Sequence, residues 1–200
     1  PKNVKRVREY ISDEANVDRI ISEYEKNRKK TDQPFYMYNM TIQNHSPYDK
    51  DAANFKQPIK IESSKYDAEA NRYLNLIKYS DDSLKQLTGY FEKCKEPTII
   101  LFLGDHQPRL TDEFMNKITN GQYQTWSSEQ MMKRYQVPFV IWANYDIKEQ
   151  HIEKTSMNYI QSILTKTAGV KMTGYQRFLN EVRKEVPTIT SQGYWGKNGK

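Results

Sequence analysis

Asp105 and His106 are adjacent residues whose side chains could bind a divalent metal. They directly follow the apolar run at residues 98–103. A carboxylate oxygen and an imidazole nitrogen are ligands suited to Zn²⁺, Mn²⁺ or Mg²⁺. Neighbouring side chains on an extended backbone point opposite ways, so both reach one ion only if the chain turns, and Gly104 and Pro108 favour a turn there. We therefore predict part of a metal site at this pair.

His45 is a second candidate, and it lies in a polar loop after the apolar and aromatic segment at residues 34–42. An imidazole in such a loop can hold a phosphate oxygen or shuttle a proton. The alternative is a histidine that fixes its own loop by hydrogen bonds. The third histidine, His151, lies among charged residues and is predicted to be at the surface.

Several other kinds of site are excluded by the sequence. It contains no Gly-x-Ser-x-Gly elbow, phosphate loop, dinucleotide fingerprint or His-Glu-x-x-His motif. Cys94 is the single cysteine, which excludes an intramolecular disulfide and a multi-cysteine zinc site. We place Cys94 on the apolar side of a predicted helix, as a core residue.

Hydrophobic patterns predict the elements that would position these residues. Buried strands are expected at residues 34–42, 98–103 and 137–142. Helices are expected at residues 12–29, 67–95, 156–168 and 175–184, the second with a possible break near Ser80 and the third ended by Gly169. Residues 107–135 lack a clear period and are interpreted as an excursion over the active face.

The alternation of strands and helices predicts an α/β fold with a mainly parallel sheet flanked by helices. In that architecture ligands bind beyond the carboxyl ends of the strands. Because Asn44 and His45 follow one predicted strand and Asp105 and His106 follow another, we expect these side chains to face a common hollow.

Composition limits the classes of partner. The chain has 200 residues, enough for one substantial domain, and its net charge of +6 favours anionic partners. The charges are scattered and no nucleic-acid-binding motif is present, so nucleic acid is not a predicted partner. No apolar run approaches the roughly 18 residues that a membrane-spanning helix requires.

Three segments together resemble one known family. Asn-His-Ser-Pro-Tyr at 44–48, Gly-Asp-His-Gln-Pro at 104–108 and Val-Pro-Phe-Val-Ile-Trp-Ala-Asn at 137–144 look like the lipoteichoic-acid-synthase-like branch of the sulfatase and alkaline-phosphatase superfamily. The resemblance covers residues 31–195, with residues 1–30 as a helical lead-in. It implies that residues 1–200 are the carboxyl-terminal portion of a single catalytic domain.

The resemblance also implies a function and a set of site residues. It implies a membrane-anchored enzyme with an extracellular catalytic domain, which moves phosphoglycerol or a similar phosphate-linked group onto an envelope glycan or lipid. The metal, Mn²⁺ or Mg²⁺ with Zn²⁺ also possible, would be held by an upstream Glu and Thr together with Asp105 and His106. His45 matches the histidine that contacts the substrate phosphate, and Asn44 beside it is a substrate-binding candidate.

The family's threonine nucleophile has no counterpart in this chain, since Thr31 and Thr41 lie in a different context. The 200 residues alone are therefore expected to be a soluble, inactive fragment. Its partners would be the upstream half of the domain, the membrane through an amino-terminal region, and a phosphate-containing lipid or glycan.

Alternatives stay open at this point. Gln107-Pro108 replaces the Tyr-Gly expected in polyglycerolphosphate synthases, so a relative acting on another envelope glycan fits equally well. A sulfatase or phosphodiesterase would pass its covalent intermediate to water instead. A catalytically dead domain that binds anionic glycans would use rings such as Trp126, Trp142 and Tyr145.

Overall fold

The computed structural model describes residues 3–62, 67–119, 121–191 and 193–198. The chain divides into two compact units. The first comprises Pro1–Lys93 and Pro108–Gln124, and the second comprises Cys94–Gln107 and Thr125–Lys200. His45 belongs to the first unit, whereas Asp105 and His106 belong to the second.

The first unit is built on a short antiparallel hairpin and two long helices. Its elements are β1 (Arg6–Val7), β2 (Tyr10–Ile11), α1 (Asp13–Arg28), α2 (Ala68–Phe91) and α3 (Asp112–Thr119). Ser12 begins α1 because its hydroxyl accepts from the Ala15 amide at 3.1 Å, so the predicted cap and helix are confirmed. Its apolar core contains Val7, Tyr48, Phe55 and Leu76.

Helix α2 is continuous over 24 residues and does not break at Ser80. The apolar spacing predicts an inward face that includes Ala70, Leu74, Ile77, Leu87 and Phe91, and Ala70, Leu87 and Phe91 are buried as predicted. Leu74 and Ile77 are each 41% exposed, whereas Asn71 and Asn75 are buried. The two asparagines accept hydrogen bonds from the backbone amides of Ile61 and Ile59, at 3.0 and 2.9 Å. Because these amides need partners, polar side chains occupy the buried face.

Residues 34–42 do not form the predicted strand. The segment has no regular secondary structure, and Tyr36, Tyr38 and Met40 are between 71% and 84% exposed. Aromatic and β-branched residues fit a pleated, half-buried surface, but a strand also needs a neighbouring backbone to complete its hydrogen bonds. No described strand pairs with this segment. The prediction of a buried strand was therefore wrong.

The second unit contains the predicted strands and helices near residues 98–103, 137–142, 156–168 and 175–184, together with three short elements. They are β3 (Ile99–Leu103), α4 (Ser128–Met132), β4 (Phe139–Ala143), α5 (Met157–Thr167), α6 (Gly174–Glu185), β5 (Thr188–Thr190) and β6 (Gly193–Trp195). Gly169 follows the end of α5 and terminates the helix as predicted, with φ of 70°. Cys94 lies beyond the end of α2 and is half-buried, so it is not a helical core residue.

Strands β3 and β4 pair antiparallel, with Leu101 opposite Ile141. The mainly parallel sheet is not observed, because every ladder among the described residues is antiparallel. A continuous apolar run predicts burial, but it carries no information on the direction of the neighbouring strand. One face of the pair packs on the core of α5 (Tyr159, Ile160, Ile163).

The opposite face of β3 and β4 leaves Phe102 and Val140 about two-fifths exposed, at 38% and 44%. The two residues are cross-strand partners, so they share one open surface. The apolar run at residues 98–103 therefore forms a strand with one partly exposed face, whereas it was predicted to be covered on both faces. No helix within the described ranges is long and apolar enough to cross a membrane.

Candidate functional site

The His45 loop, defined as residues 43–48, is tied to both long helices of the first unit. Gln43 is buried and its side-chain oxygen accepts from the backbone amide of Asp13, the first residue of α1, at 3.0 Å. Its amide nitrogen donates to Asn44 Oδ1 at 3.2 Å, and Asn44 Nδ2 donates to Ser80 Oγ at 2.8 Å. Ser80 then donates to Asp13 Oδ2 at 2.6 Å, which closes the ring.

This ring places Asn44 in a fixed position between α1 and α2. Both ends of its side-chain amide are engaged within the protein, so the geometry gives Asn44 a part in shaping the loop. Its role in substrate binding stays a prediction. Tyr48 adds a further bond, because its hydroxyl donates to the Asn44 carbonyl at 2.8 Å. Burial raises the pKa of Tyr48 to about 12, so this hydroxyl remains a neutral donor.

The His45 ring is exposed and held at one nitrogen only. Nδ1 lies 2.6 Å from the Ser46 carbonyl oxygen and 3.4 Å from the Tyr10 hydroxyl. A carbonyl oxygen can only accept, so Nδ1 carries the hydrogen. Nε2 makes no hydrogen bond to any described residue and is therefore available to a ligand. The ring thus both fixes its own loop and presents a free nitrogen.

The Asp105–His106 loop follows β3 in the second unit, and the chain bends at both residues. This bend is what their joint use of one ion requires. Gly104, just before the bend, packs closely against Val137, since an added Cβ at position 104 would lie 3.2 Å from Val137 Cβ. The Gln107 amide then anchors the loop by donating to the carbonyls of Lys133 and Gln136, at 2.7 and 2.8 Å.

The donor atoms of Asp105 and His106 converge. Asp105 Oδ1 accepts from the His106 amide at 2.8 Å, and Oδ2 lies 3.6 Å from His106 Nε2. His106 Nδ1 is 2.9 Å from the Gln107 carbonyl, so the hydrogen is on Nδ1 and the lone pair of neutral imidazole is on Nε2. Both side chains are about three-quarters exposed, at 76% and 72%.

This separation suits a shared cation. Bonds of roughly 2.1 Å to each atom, at an angle of roughly 90 to 120°, place two ligand atoms about 3.0 to 3.6 Å apart. The oxygen and nitrogen donors fit Mn²⁺, Mg²⁺ or Zn²⁺. Among the described residues, however, no group of three or more His, Cys, Asp or Glu side chains gathers around one point. The pair is therefore two ligands of an incomplete set.

Several residues that shape the His45 loop could not be identified from the amino-acid sequence. Asp13, Ser80 and Arg8 lie 30 or more residues from the residues that they bond in the loop. Their types are ordinary for a helix start, a helix interior and a hairpin. An open cavity of about 520 Å³ adjoins the loop and is lined by Ser46, Pro47, Tyr48, Glu69, Arg109, Leu110, Thr111 and Asp112.

The three rings that were candidates for glycan stacking, Trp126, Trp142 and Tyr145, are each half-buried. His151 is exposed, as predicted. Whether His45 and the Asp105–His106 pair face one hollow stays a prediction, because they belong to different compact units.

The family model for sulfatases matches residues 1–170, and the chain belongs to the sulfatase family. The resemblance to its lipoteichoic-acid-synthase-like branch is confirmed. A Lipoteichoic acid synthase-like YvgJ of Bacillus subtilis is 33% identical over 92 residues, which are 44% of this chain and 14% of that protein.

Two further comparisons span nearly the whole chain. A putative cyclic beta-1,2-glucan modification protein of Rhizobium meliloti is 28% identical over 199 residues, covering 96% of this chain and 30% of that protein. The solved structure of Streptococcus pyogenes phosphoglycerol transferase GacH in complex with sn-glycerol-1-phosphate matches with a TM-score of 0.66 and 18% identity. The match covers 96% of this chain and 47% of that one, and it confirms an α/β fold of that kind. The chain thus spans under a third of the length of the curated relatives it matches.

Proposed function

We propose that this chain supplies part of the active site of a metal-dependent, extracellular transferase that moves phosphoglycerol or a similar phosphate-linked group onto an envelope glycan or lipid. Membership of the sulfatase family and likeness to a phosphoglycerol transferase structure support the reaction class. The single observation that carries the proposal is the convergence of Asp105 Oδ2 and His106 Nε2 at 3.6 Å.

Asp105 and His106 would hold the cation in this proposal. The family resemblance suggests Mn²⁺ or Mg²⁺, and the donor types also accommodate Zn²⁺. Further ligands, including a glutamate and the threonine nucleophile, would come from outside these 200 residues, because the pair provides only two donors. When bound, a divalent cation offsets the negative charge that grows on phosphoryl oxygens and lowers the pKa of a hydroxyl nucleophile.

His45 would contact the phosphate of the substrate through Nε2. With Nδ1 occupied by the Ser46 carbonyl, Nε2 is the atom that can donate a hydrogen bond to a phosphate oxygen when the ring is protonated, or accept a proton when it is neutral. The net charge of +6 favours an anionic donor substrate approaching the protein. Gln107, which anchors the metal loop, differs from the residue expected in polyglycerolphosphate synthases, so we propose an acceptor other than that polymer.

The metal pair can be tested with Mn²⁺, whose unpaired electrons broaden nearby NMR signals even when binding is weak. On titration of the ¹⁵N-labelled chain with Mn²⁺, we expect broadening of amide signals centred on residues 104–107. Asp105→Asn removes the charged ligand oxygen and should abolish this localised effect. Asp146→Asn is the matched control, since Asp146 is an exposed aspartate in the same unit.

Broadening centred on other acidic residues, or broadening at residues 104–107 that survives Asp105→Asn, would refute the metal assignment. The phosphate assignment needs a second titration, with sn-glycerol 1-phosphate in the absence of metal. Chemical-shift changes should then centre on the His45 loop and disappear in His45→Ala. A response that is the same in wild type and His45→Ala would refute it.

A further inference from the structure

A buried arginine from the turn between β1 and β2 holds the His45 loop. The Arg8 side chain reaches three backbone carbonyl oxygens of that loop. Nη1 donates to Pro47 at 2.5 Å, and Nη2 donates to Gln43 at 2.8 Å and to His45 at 2.7 Å. A planar guanidinium can bond several acceptors at once in a fixed geometry. These bonds therefore fix the spacing of carbonyls at both ends and the middle of the loop.

The charge of Arg8 is buried without an acidic partner. Arg8 is 8% exposed and forms no ion pair with any described carboxylate. Its Cζ atom lies 5.0 Å from the centre of the Tyr10 ring and 5.6 Å from that of Tyr48. Cation–π contacts and carbonyl dipoles thus compensate the charge. Because a buried charge is costly without these partners, moving the carbonyls away from it is unfavourable.

The backbone of Arg8 is held as firmly as its side chain. Arg8 has φ of 56°, in the left-handed region that residues other than glycine rarely adopt. Asn54 secures the turn, because its side chain accepts from the Arg8 amide at 3.1 Å and donates to the carbonyls of Arg6 and Arg8 at 3.2 and 2.9 Å. A conformation of this kind persists only where the surroundings determine it.

We propose that Arg8 is a positioning residue for His45. Arg8 sets the shape of the loop through the three carbonyls, and Tyr10 sets the ring through a bond from its hydroxyl to the Ser46 carbonyl at 2.9 Å. Together they keep Nδ1 against Ser46 and leave Nε2 facing outward. This inference rests on the proposed function, in which Nε2 of His45 contacts the phosphate.

The positioning role of Arg8 can be tested without an assay of transferase activity. The His45 amide donates to the Ile42 carbonyl at 3.0 Å, so its hydrogen exchange reports the shape of the loop. Arg8→Asn removes the guanidinium while asparagine tolerates the left-handed backbone. We expect the exchange rate of the His45 amide to rise about 10- to 100-fold, because the variant loses one or two charge-assisted hydrogen bonds that hold the loop closed. The ring nitrogen shifts should change from one tautomer to a mixture.

Two further variants at the hairpin sharpen the result. Arg8→Lys keeps the charge but offers one nitrogen instead of a fork, so it should give partial rescue. Arg6→Gln is the matched control, since Arg6 is an exposed arginine of the same hairpin whose side chain donates to the Glu9 carbonyl. His45 exchange and ring shifts in Arg8→Asn that equal those in Arg6→Gln would overturn the proposal.

Tyr10→Phe decides the question if Arg8→Asn does not fold. It removes one hydroxyl and keeps the ring, so the fold should persist while the His45 tautomer mixture appears. An unchanged tautomer would overturn the proposal.

Titration with sn-glycerol 1-phosphate separates this inference from the proposed function. At least tenfold weaker binding by Arg8→Asn, partly restored by Arg8→Lys, supports both. Equal affinity of wild type and Arg8→Asn overturns the positioning role. If wild type itself shows no binding, the proposed function fails, and the exchange and tautomer results still decide whether Arg8 holds the loop.

Discussion

Asp13 is a carboxyl group buried where the start of α1 meets the His45 loop, and the side chains of Ser80 and Gln43 donate hydrogen bonds to it. Burial raises the pKa of Asp13 above its ordinary value of 3.8, and the Ser80 hydrogen bond opposes part of this rise. The folded protein therefore holds this proton more tightly than the unfolded chain does. The ring of hydrogen bonds that shapes the loop thus includes a titrating member.

The sign of the resulting pH dependence follows from linkage. A raised folded-state pKa contributes stability that is fully present below pH 3.8 and is lost as pH rises through the folded-state value. Asp13→Asn stays neutral at every pH and keeps an oxygen that can accept from Ser80. We expect the stability of wild type, relative to Asp13→Asn, to fall as pH rises from 3.8 toward neutrality. Urea unfolding at a series of pH values measures the difference.

The exposed Asp49 provides a control for this experiment, because Asp49→Asn removes a carboxylate from the same unit without touching the network. Its stability curve should run parallel to that of wild type across the same range. Parallel curves for Asp13→Asn and wild type would contradict the burial argument.

For individual residues, the sequence predicted which side chains are candidate site residues better than it predicted which residues they contact. Asp105, His106 and His45 stood out because they follow apolar segments, and the bend at Asp105 was predictable from Gly104 and Pro108. Arg8 was not predictable as a partner of His45, since nothing in local spacing shows that a hairpin arginine reaches a loop 35 to 39 residues away. Such contacts depend on the folded path of the chain.

The elements show a second limit of sequence patterns. Caps predicted the start of α1, and Gly169 predicted the end of α5, because both are local backbone chemistry. The direction of β3 against β4 and the state of residues 34–42 depend on which backbone lies alongside. That information is absent from apolar periodicity, so these two predictions failed.

Helix α2 offers a direct test of this distinction. Apolar spacing places Leu74 inward, whereas the structure buries Asn75 completely and leaves Leu74 41% exposed. Asn75 donates to the Ile59 carbonyl and accepts from the Ile59 amide, each at 2.9 Å. Asn75→Leu would leave these part-buried backbone groups without their partner and the position itself is buried, so we expect it to destabilise the protein by about 2 to 4 kcal/mol.

Leu74→Asn is the reciprocal substitution on the neighbouring residue and should cost less than about 1 kcal/mol, because the position is partly exposed. Urea unfolding of both variants gives the comparison. If Leu74→Asn proved the more damaging of the two, the apolar pattern would describe the buried face of α2 better than the hydrogen bonds do.

For the whole molecule, the candidate ligands lie on two separate loops of a chain that belongs to the sulfatase family. The strongly basic balance, +6 over 200 residues, disfavours indiscriminate binding of cations, although salt near physiological strength screens exposed charges beyond about 8 Å. We therefore expect specific binding of Mn²⁺ to need local donors such as Asp105 and His106. This makes metal-dependent stability informative about the site.

A ligand that binds only the folded state raises stability by an amount set by its concentration and Kd. If Asp105 and His106 bind Mn²⁺, we expect the free energy of unfolding to rise by about 2.7 kcal/mol at a Mn²⁺ concentration a hundred times Kd, and to return on addition of EDTA. Thermal unfolding with increasing Mn²⁺ measures this. Asp105→Asn should lose the rise and Asp146→Asn should keep it, because only the first removes a donor atom. A rise of equal size in both variants would place the binding elsewhere and remove the physical basis for a metal-dependent transferase.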